Sequence, residues 1–182
     1  MSDWAFLFAF PTDRRSFEQS FAWNFTAKFD NWDHYRSRVL DPFTELIVPL
    51  ESAGLSIYRW ASLLDLTHAL RSKKAVILFT HHEDGELEFR ARMVPFDRVL
   101  AVLPLEFDGI FELSACKPTE KMVLDVRARC RQCGVPYMAD EITPYTWLIY
   151  YALLLKEFDM SPTSYRAADV VALEEFRKKL RV

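Results

Sequence analysis

Residues 74–118 read KAVILFTHHEDGELEFRARMVPFDRVLAVLPLEFDGIFELSACKP. Ala75-Val76-Ile77-Leu78-Phe79 is an unbroken apolar run rich in β-formers, short enough to be a strand buried on both faces in the middle of a parallel sheet. His81 and His82 follow, where that strand leaves the sheet. Glu83-Asp84-Gly85 is a turn signal. Beyond it Leu87, Phe89, Ala91 and Met93 alternate with Glu86, Glu88, Arg90 and Arg92, which predicts one half-buried strand folding back as a hairpin. A short helix is expected over Phe96 to Leu103. Ile110-Phe111-Glu112-Leu113 predicts another strand, with Ser114-Ala115-Cys116 at its carboxyl end. In open α/β sheets functional groups collect outside the carboxyl ends of strands, so two His and one Cys become candidates for a shared cleft.

Working outward, Trp4 to Phe10 predicts a first strand closed by Pro11-Thr12-Asp13, while Ser16 to Asp30 is aromatic-rich and ambiguous. Asp41 and Pro42 have the form of an N-cap and first helical residue, and Phe43, Leu46, Ile47 and Leu50 give one helical face before Gly54. Leu55 to Trp60 is a second strand candidate, and Leu63 to Leu70 a helix leading into Ala75. After Cys116, Thr119 to Gln132 reads as a helix stopped by Gly134, and Val135 to Ala139 as a short strand. Thr143-Pro144 and Ser161-Pro162 repeat one helix-start signal, so two closing helices are expected, Pro144 to Phe158 and Pro162 to Leu180. Strands alternating with helices predict an α/β fold: a mostly parallel central sheet covered on both faces, with right-handed crossovers. No repeat or linker divides the chain, and residues 1–182 are read as one domain.

The 182 residues are 51% hydrophobic and 15% aromatic, enough for a core, and the net charge of −3 comes from signs mixed throughout. That balance disfavours a nucleic-acid groove or an acidic membrane surface as partner. The run Trp147 to Leu155 is far short of the roughly 20 residues needed to span a bilayer. Three Cys without framework spacing fit a reducing compartment, and Trp4 to Phe10 lacks the basic flank and small-residue site of a signal peptide. A cytoplasmic protein is expected.

A Cys thiol, with an ordinary pKa of about 8.5, is mostly protonated at neutral pH; an imidazole that takes its proton or pairs with the thiolate makes it a nucleophile. His81 and Cys116 suit those roles, and backbone N–H groups beside Cys116 would suit an oxyanion hole. The bland reading is that Cys116 is a small buried hydrophobe.

The blocks VILFTHHEDG and GIFELSACKP resemble those of the caspase-like cysteine peptidases, in particular the bacterial CHAT domains. In that family an apolar strand ends in His-Gly and a second strand ends in Ser-Ala-Cys or Gln-Ala-Cys. The resemblance implies a caspase-like three-layer α/β/α sandwich, with His81 the catalytic histidine and Cys116 the nucleophile of an endopeptidase acting on a protein substrate in a regulatory or defence-type pathway. It implies no cofactor and no metal, and it implies control either by an activating or regulatory protein partner or by proteolytic activation. Tyr137-Met138-Ala139-Asp140 is similar to the stretch that shapes the specificity pocket, which makes Asp140 and Glu141 candidates to receive a basic side chain. Trp147 to Leu155 with Ser164 to Ala168 is similar to the closing helix pair. From Met1 to Lys74 only the order of elements agrees. One position departs: His82 stands where the family has Gly, the residue whose N–H helps hold the oxyanion. His82 therefore remains an alternative base or an oxyanion neighbour, and a catalytically inactive scaffold or regulatory module of the same fold remains the alternative function.

Cys130-Arg131-Gln132-Cys133 has redox or zinc spacing, yet stands alone at an expected helix end, where packing is the favoured reading. His34 and His68 are isolated and read as structural. Glu174 to Lys179 reads as a solvated helix face.

Overall fold

The computed structural model describes residues 3–20, 26, 28–90, 92–135, 144–157 and 165–180. Trp4–Phe8 forms β1, buried at every residue. It leads through α1 (Arg14–Ser20) to α2 (Trp32–Tyr35), a π-helical turn (Arg36–Leu40) and α3 (Asp41–Ser52). Then come β2 (Ser56–Arg59), α4 (Leu63–Ser72) and β3 (Ala75–Thr80). The short strands β4 (His82–Glu83), β5 (Glu86–Phe89) and β6 (Arg92–Pro95) precede α5 (Phe96–Val102). The chain continues through β7 (Phe107–Ala115), α6 (Glu120–Arg129) and β8 (Cys130–Gly134) to the helices α7 (Pro144–Glu157) and α8 (Tyr165–Leu180).

Five strands form one sheet in the order β2-β1-β3-β7-β8, and every neighbouring pair is parallel. The fold is thus α/β with a parallel central sheet. Successive side chains of a strand point to opposite faces, and both faces here are apolar. Phe6, Phe8, Ile77 and Phe79 pack with Phe43 and Ile47 of α3 and with Trp147, Tyr150 and Tyr151 of α7. Ala5, Leu7, Val76 and Leu78 pack instead with Leu66 of α4, Phe96 and Val99 of α5 and Met122 of α6. Because helices cover both faces, β1 and β3 read as continuous apolar runs without alternation. β4, β5 and β6 make a separate antiparallel sheet beyond the end of β3.

Local chemistry fixes the boundaries. α4 starts on a capping box in which the Asp65 N–H donates to Ser62 Oγ at 3.3 Å and the Ser62 N–H donates to Asp65 Oδ2 at 2.7 Å. Asp84 and Gly85 both have positive φ (48° and 81°), the requirement of a two-residue type I′ hairpin turn, and they join β4 to β5. Gly109, within β7, admits no side chain: an added Cβ would overlap the Lys74 carbonyl oxygen and the Phe107 ring. That carbonyl accepts the Ile110 N–H at 2.7 Å, so close approach at Gly109 is what starts the β3–β7 ladder.

Three expectations are corrected. The alternation over Leu87 to Met93 is two strands, broken at Arg90 (φ 41°). Asp41 does not cap a helix start; the helix is already running from Trp32, and the Asp41 N–H bonds the Arg36 carbonyl five residues back. Buried Tyr35, Val39 and Leu40 extend the apolar face upstream, and the π turn absorbs the missing N–H of Pro42. α6 ends at Arg129, and Cys130 to Gly134, assigned above to a helix end, is an edge strand on β7. The predicted strand from Val135 lies mostly outside the described residues. Among these residues no helix is long and apolar enough to cross a membrane.

Phe8 is fully buried, stacks on Phe79 at 4.7 Å and meets Phe43 edge-on at 4.5 Å. Phe8→Ala should therefore cost about 3–5 kcal/mol. Urea denaturation would read this as a lower midpoint at unchanged slope.

Candidate active site

The β3–β7 ladder runs in register from Ala75↔Ile110 to Thr80↔Ala115, so both strands end at the same level. The next residues are His81 on one and Cys116 on the other, each one step beyond the last registered pair. Cys116 is half-buried and stands outside the disulfide. Lys117 follows with φ 47°, then Pro118, then Thr119, whose Oγ1 accepts the Met122 N–H at 3.2 Å to cap α6. The candidate nucleophile thus occupies a sharp strand-to-helix connection.

Antiparallel pairing with β5 pins the other side. The His81 carbonyl accepts the Glu88 N–H at 2.9 Å, and Thr80 Oγ1 lies 2.6 Å from the Glu88 carbonyl oxygen. The His81 side chain is 12% exposed, with Nε2 3.8 Å from Glu83 Oε2. Since His81 and Glu88 are bonded opposite each other, alternation makes His82 and Leu87 the non-hydrogen-bonded pair. The His82 N–H is therefore left off the ladder with β5. His82 is absent from the residues with positive φ, so a Cβ causes no backbone strain where the resembled family has Gly. Its ring is held by backbone: the Gly85 N–H donates to Nε2 at 3.3 Å, leaving the hydrogen on Nδ1, which is 3.2 Å from the Cys116 carbonyl oxygen. His82 ties the histidine loop to the cysteine loop.

Beneath Cys116 lies a buried polar network that the sequence reading passed over. Tyr151 of α7 donates to Glu112 Oε2 at 2.6 Å, and its oxygen is 2.5 Å from Ser114 Oγ. Tyr150 donates to Asp169 of α8. Glu112 is buried in β7, and burial, helped by the charge of Asp169 and opposed by the Tyr151 hydrogen bond, pushes its carboxyl up to about 8. Burial together with the Glu112 charge holds both phenols far above the ordinary tyrosine range. Glu88 is likewise buried; neither side-chain oxygen has a hydrogen-bond partner among the described residues, and burial pushes it up to about 7. A lone acid inside the apolar run IFEL was the available signal for Glu112. Glu88 was masked by an alternation that made it solvent-facing.

Asp140 and Glu141, the substrate-pocket candidates, lie outside the described residues. Cys130 and Cys133 are joined as a disulfide, with Cα atoms 5.4 Å apart. His34 sits beside its cap, its N–H donating to Asn31 Oδ1 at 3.0 Å. The described cavities lie away from His81 and Cys116: one of 570 Å³ beside Trp60 and Arg92, the other of 540 Å³ beside Phe107 and Cys130. Among the described residues no group of His, Cys, Asp or Glu is placed to hold a metal ion. Comparison of the chain with family models, curated proteins and solved structures returns no match.

Glu88 and Glu112 hold protons more tightly in the folded chain than in the unfolded one. The stability they contribute is full below the ordinary value of 4.5 and is lost as pH rises through about 7 and about 8. Unfolding free energy measured by urea titration should fall across this window. Glu112→Gln should flatten the upper part of that slope.

Proposed function

We propose that the chain is a caspase-like cysteine peptidase in which Cys116 is the nucleophile and His81 the acid and base. The observation that carries this reading is the in-register pairing Thr80↔Ala115, which sets the two residues at adjoining strand ends. Cys116 attacks the scissile carbonyl as thiolate, forming a C–S bond and a tetrahedral oxyanion. His81, having taken the thiol proton, passes it to the leaving amine as the C–N bond breaks. Water, deprotonated by His81, then hydrolyses the thioester and returns the thiol. The His82 N–H, left off the β4–β5 ladder, and the N–H of Cys116 are the candidate oxyanion donors. The His82 ring, with both nitrogens on backbone groups, acts here as a brace between the two loops and not as the base.

A second reading is an interaction module of the same fold without turnover, favoured by His82, whose ring bonds backbone groups of both loops where the resembled family has Gly. Alkylation of Cys116 by an electrophilic peptide separates the two. Labelling should vanish in Cys116→Ala and slow by at least about 100-fold in His81→Ala. His82→Ala should label more slowly than the parent but faster than His81→Ala. Equal labelling of the parent and His81→Ala would favour the module, and loss confined to His82→Ala would exchange the roles of the two imidazoles.

A further inference from the structure

The Cys130–Cys133 bond lies within one strand at the edge of the sheet, where β8 pairs irregularly with β7. Between Phe107↔Cys130 and Ile110↔Gln132 the partner strand advances three residues while β8 advances two. The irregularity therefore coincides with the crosslink. It leaves a local polar cost: the side-chain oxygen of Gln132 is buried without a hydrogen-bond partner among the described residues. A crosslink closing so short a loop removes little entropy from the unfolded chain, so folding depends on it only weakly. Cys130 also borders a cavity. Cys130 is 6% exposed and lines the 540 Å³ cavity with Arg127, Arg129 and Gln132, while Cys133 is half-buried.

We propose that Cys130 and Cys133 form a thiol–disulfide exchange site for a small thiol of the glutathione class, which enters through this cavity. The thiolate attacks Cys130 Sγ, the cysteine that borders the cavity; the protein S–S bond breaks, a mixed disulfide forms at Cys130, and Cys133 leaves as thiolate. A second thiolate attacks the small-molecule sulfur of the mixed disulfide and releases Cys130. The protein gains two electrons and takes two protons, and two small thiols leave as their disulfide. That disulfide is the oxidant for the reverse reaction. Glu106 and Asp108 also border the cavity, so its two acids and two arginines balance, and Arg127→Glu would turn the lining net negative. Cys116 cannot serve as the resolving thiol: Cys130 pairs at Phe107, and nine strand residues on, at about 3.3 Å each, place Cys116 about 30 Å away. The site is thus independent of the peptidase reading. Reduction removes the tether that holds β8 in its irregular register.

Differential alkylation with peptide mapping, on the native chain equilibrated in graded mixtures of reduced and oxidised glutathione, tests this. The expected result is that Cys130 and Cys133 become alkylatable together as the mixture turns reducing, and that amide exchange in β8 changes over the same range. Cys116→Ser should leave that transition in place. Arg127→Glu should slow exchange with glutathione by about tenfold and leave exchange with cationic cysteamine no slower. The proposal is overturned if both thiols stay alkylatable in every mixture, if the bond resists native reduction and yields only in denaturant, or if Arg127→Glu changes nothing.

Discussion

Everything at the candidate site depends on one parallel pairing, β3 against β7 with Ala75 opposite Ile110. Parallel strands share a direction, so strands that start level and run for equal lengths also stop level. Hydrophobic burial enforces the alignment. Sliding β7 by one residue would turn Leu113 and Ala115 out of the α4–α6 side of the core and bring the hydroxyl of Ser114 and the carboxyl of Glu112 into it. The strand ends that lead to His81 and to Cys116 are thus set level by the packing of residues well away from either.

The second constraint is the polar layer under the cysteine strand. Glu112, Tyr151 and Ser114 satisfy one another in a place where water is excluded, and such groups are costly when left half-paired. Tyr151 also packs against Phe6 and Phe79, so one residue of α7 joins the aromatic core to the polar one. Helix α7 is therefore coupled to the last residues of β7, and through them to the turn that carries Cys116.

Much of the frame was legible because its signals are local. The β3 run was uninterrupted, and Glu83-Asp84-Gly85 carried a turn signal. What escaped were features decided by distant contacts. Asp41-Pro42 carried a start signal, yet Tyr35 and Val39 had already committed the chain to helix through their burial against other segments. Asp108 and Gly109 looked like loop, but belong to β7 because the Lys74 carbonyl lies where any Cβ would be. The left-handed Arg90 carries no local mark at all, and it divided a strand in two. At the site, His81 and Cys116 could be read as a pair. That both nitrogens of His82 meet backbone groups required the fold of the Asp84-Gly85 turn and of the Cys116 loop together.

Gly109 has a consequence beyond its own neighbourhood. It lies near the opposite end of β7 from Cys116, touching nothing reactive, yet it sets how near two main chains can come where their ladder begins. A bulkier residue would have to be accommodated by shifting one strand along the other or prying them apart, and either displacement would be carried the length of the rib to its far tip. The spacing of the strand ends that lead to His81 and Cys116 is thus gauged from the remote end of the sheet, by a residue there that has no side chain.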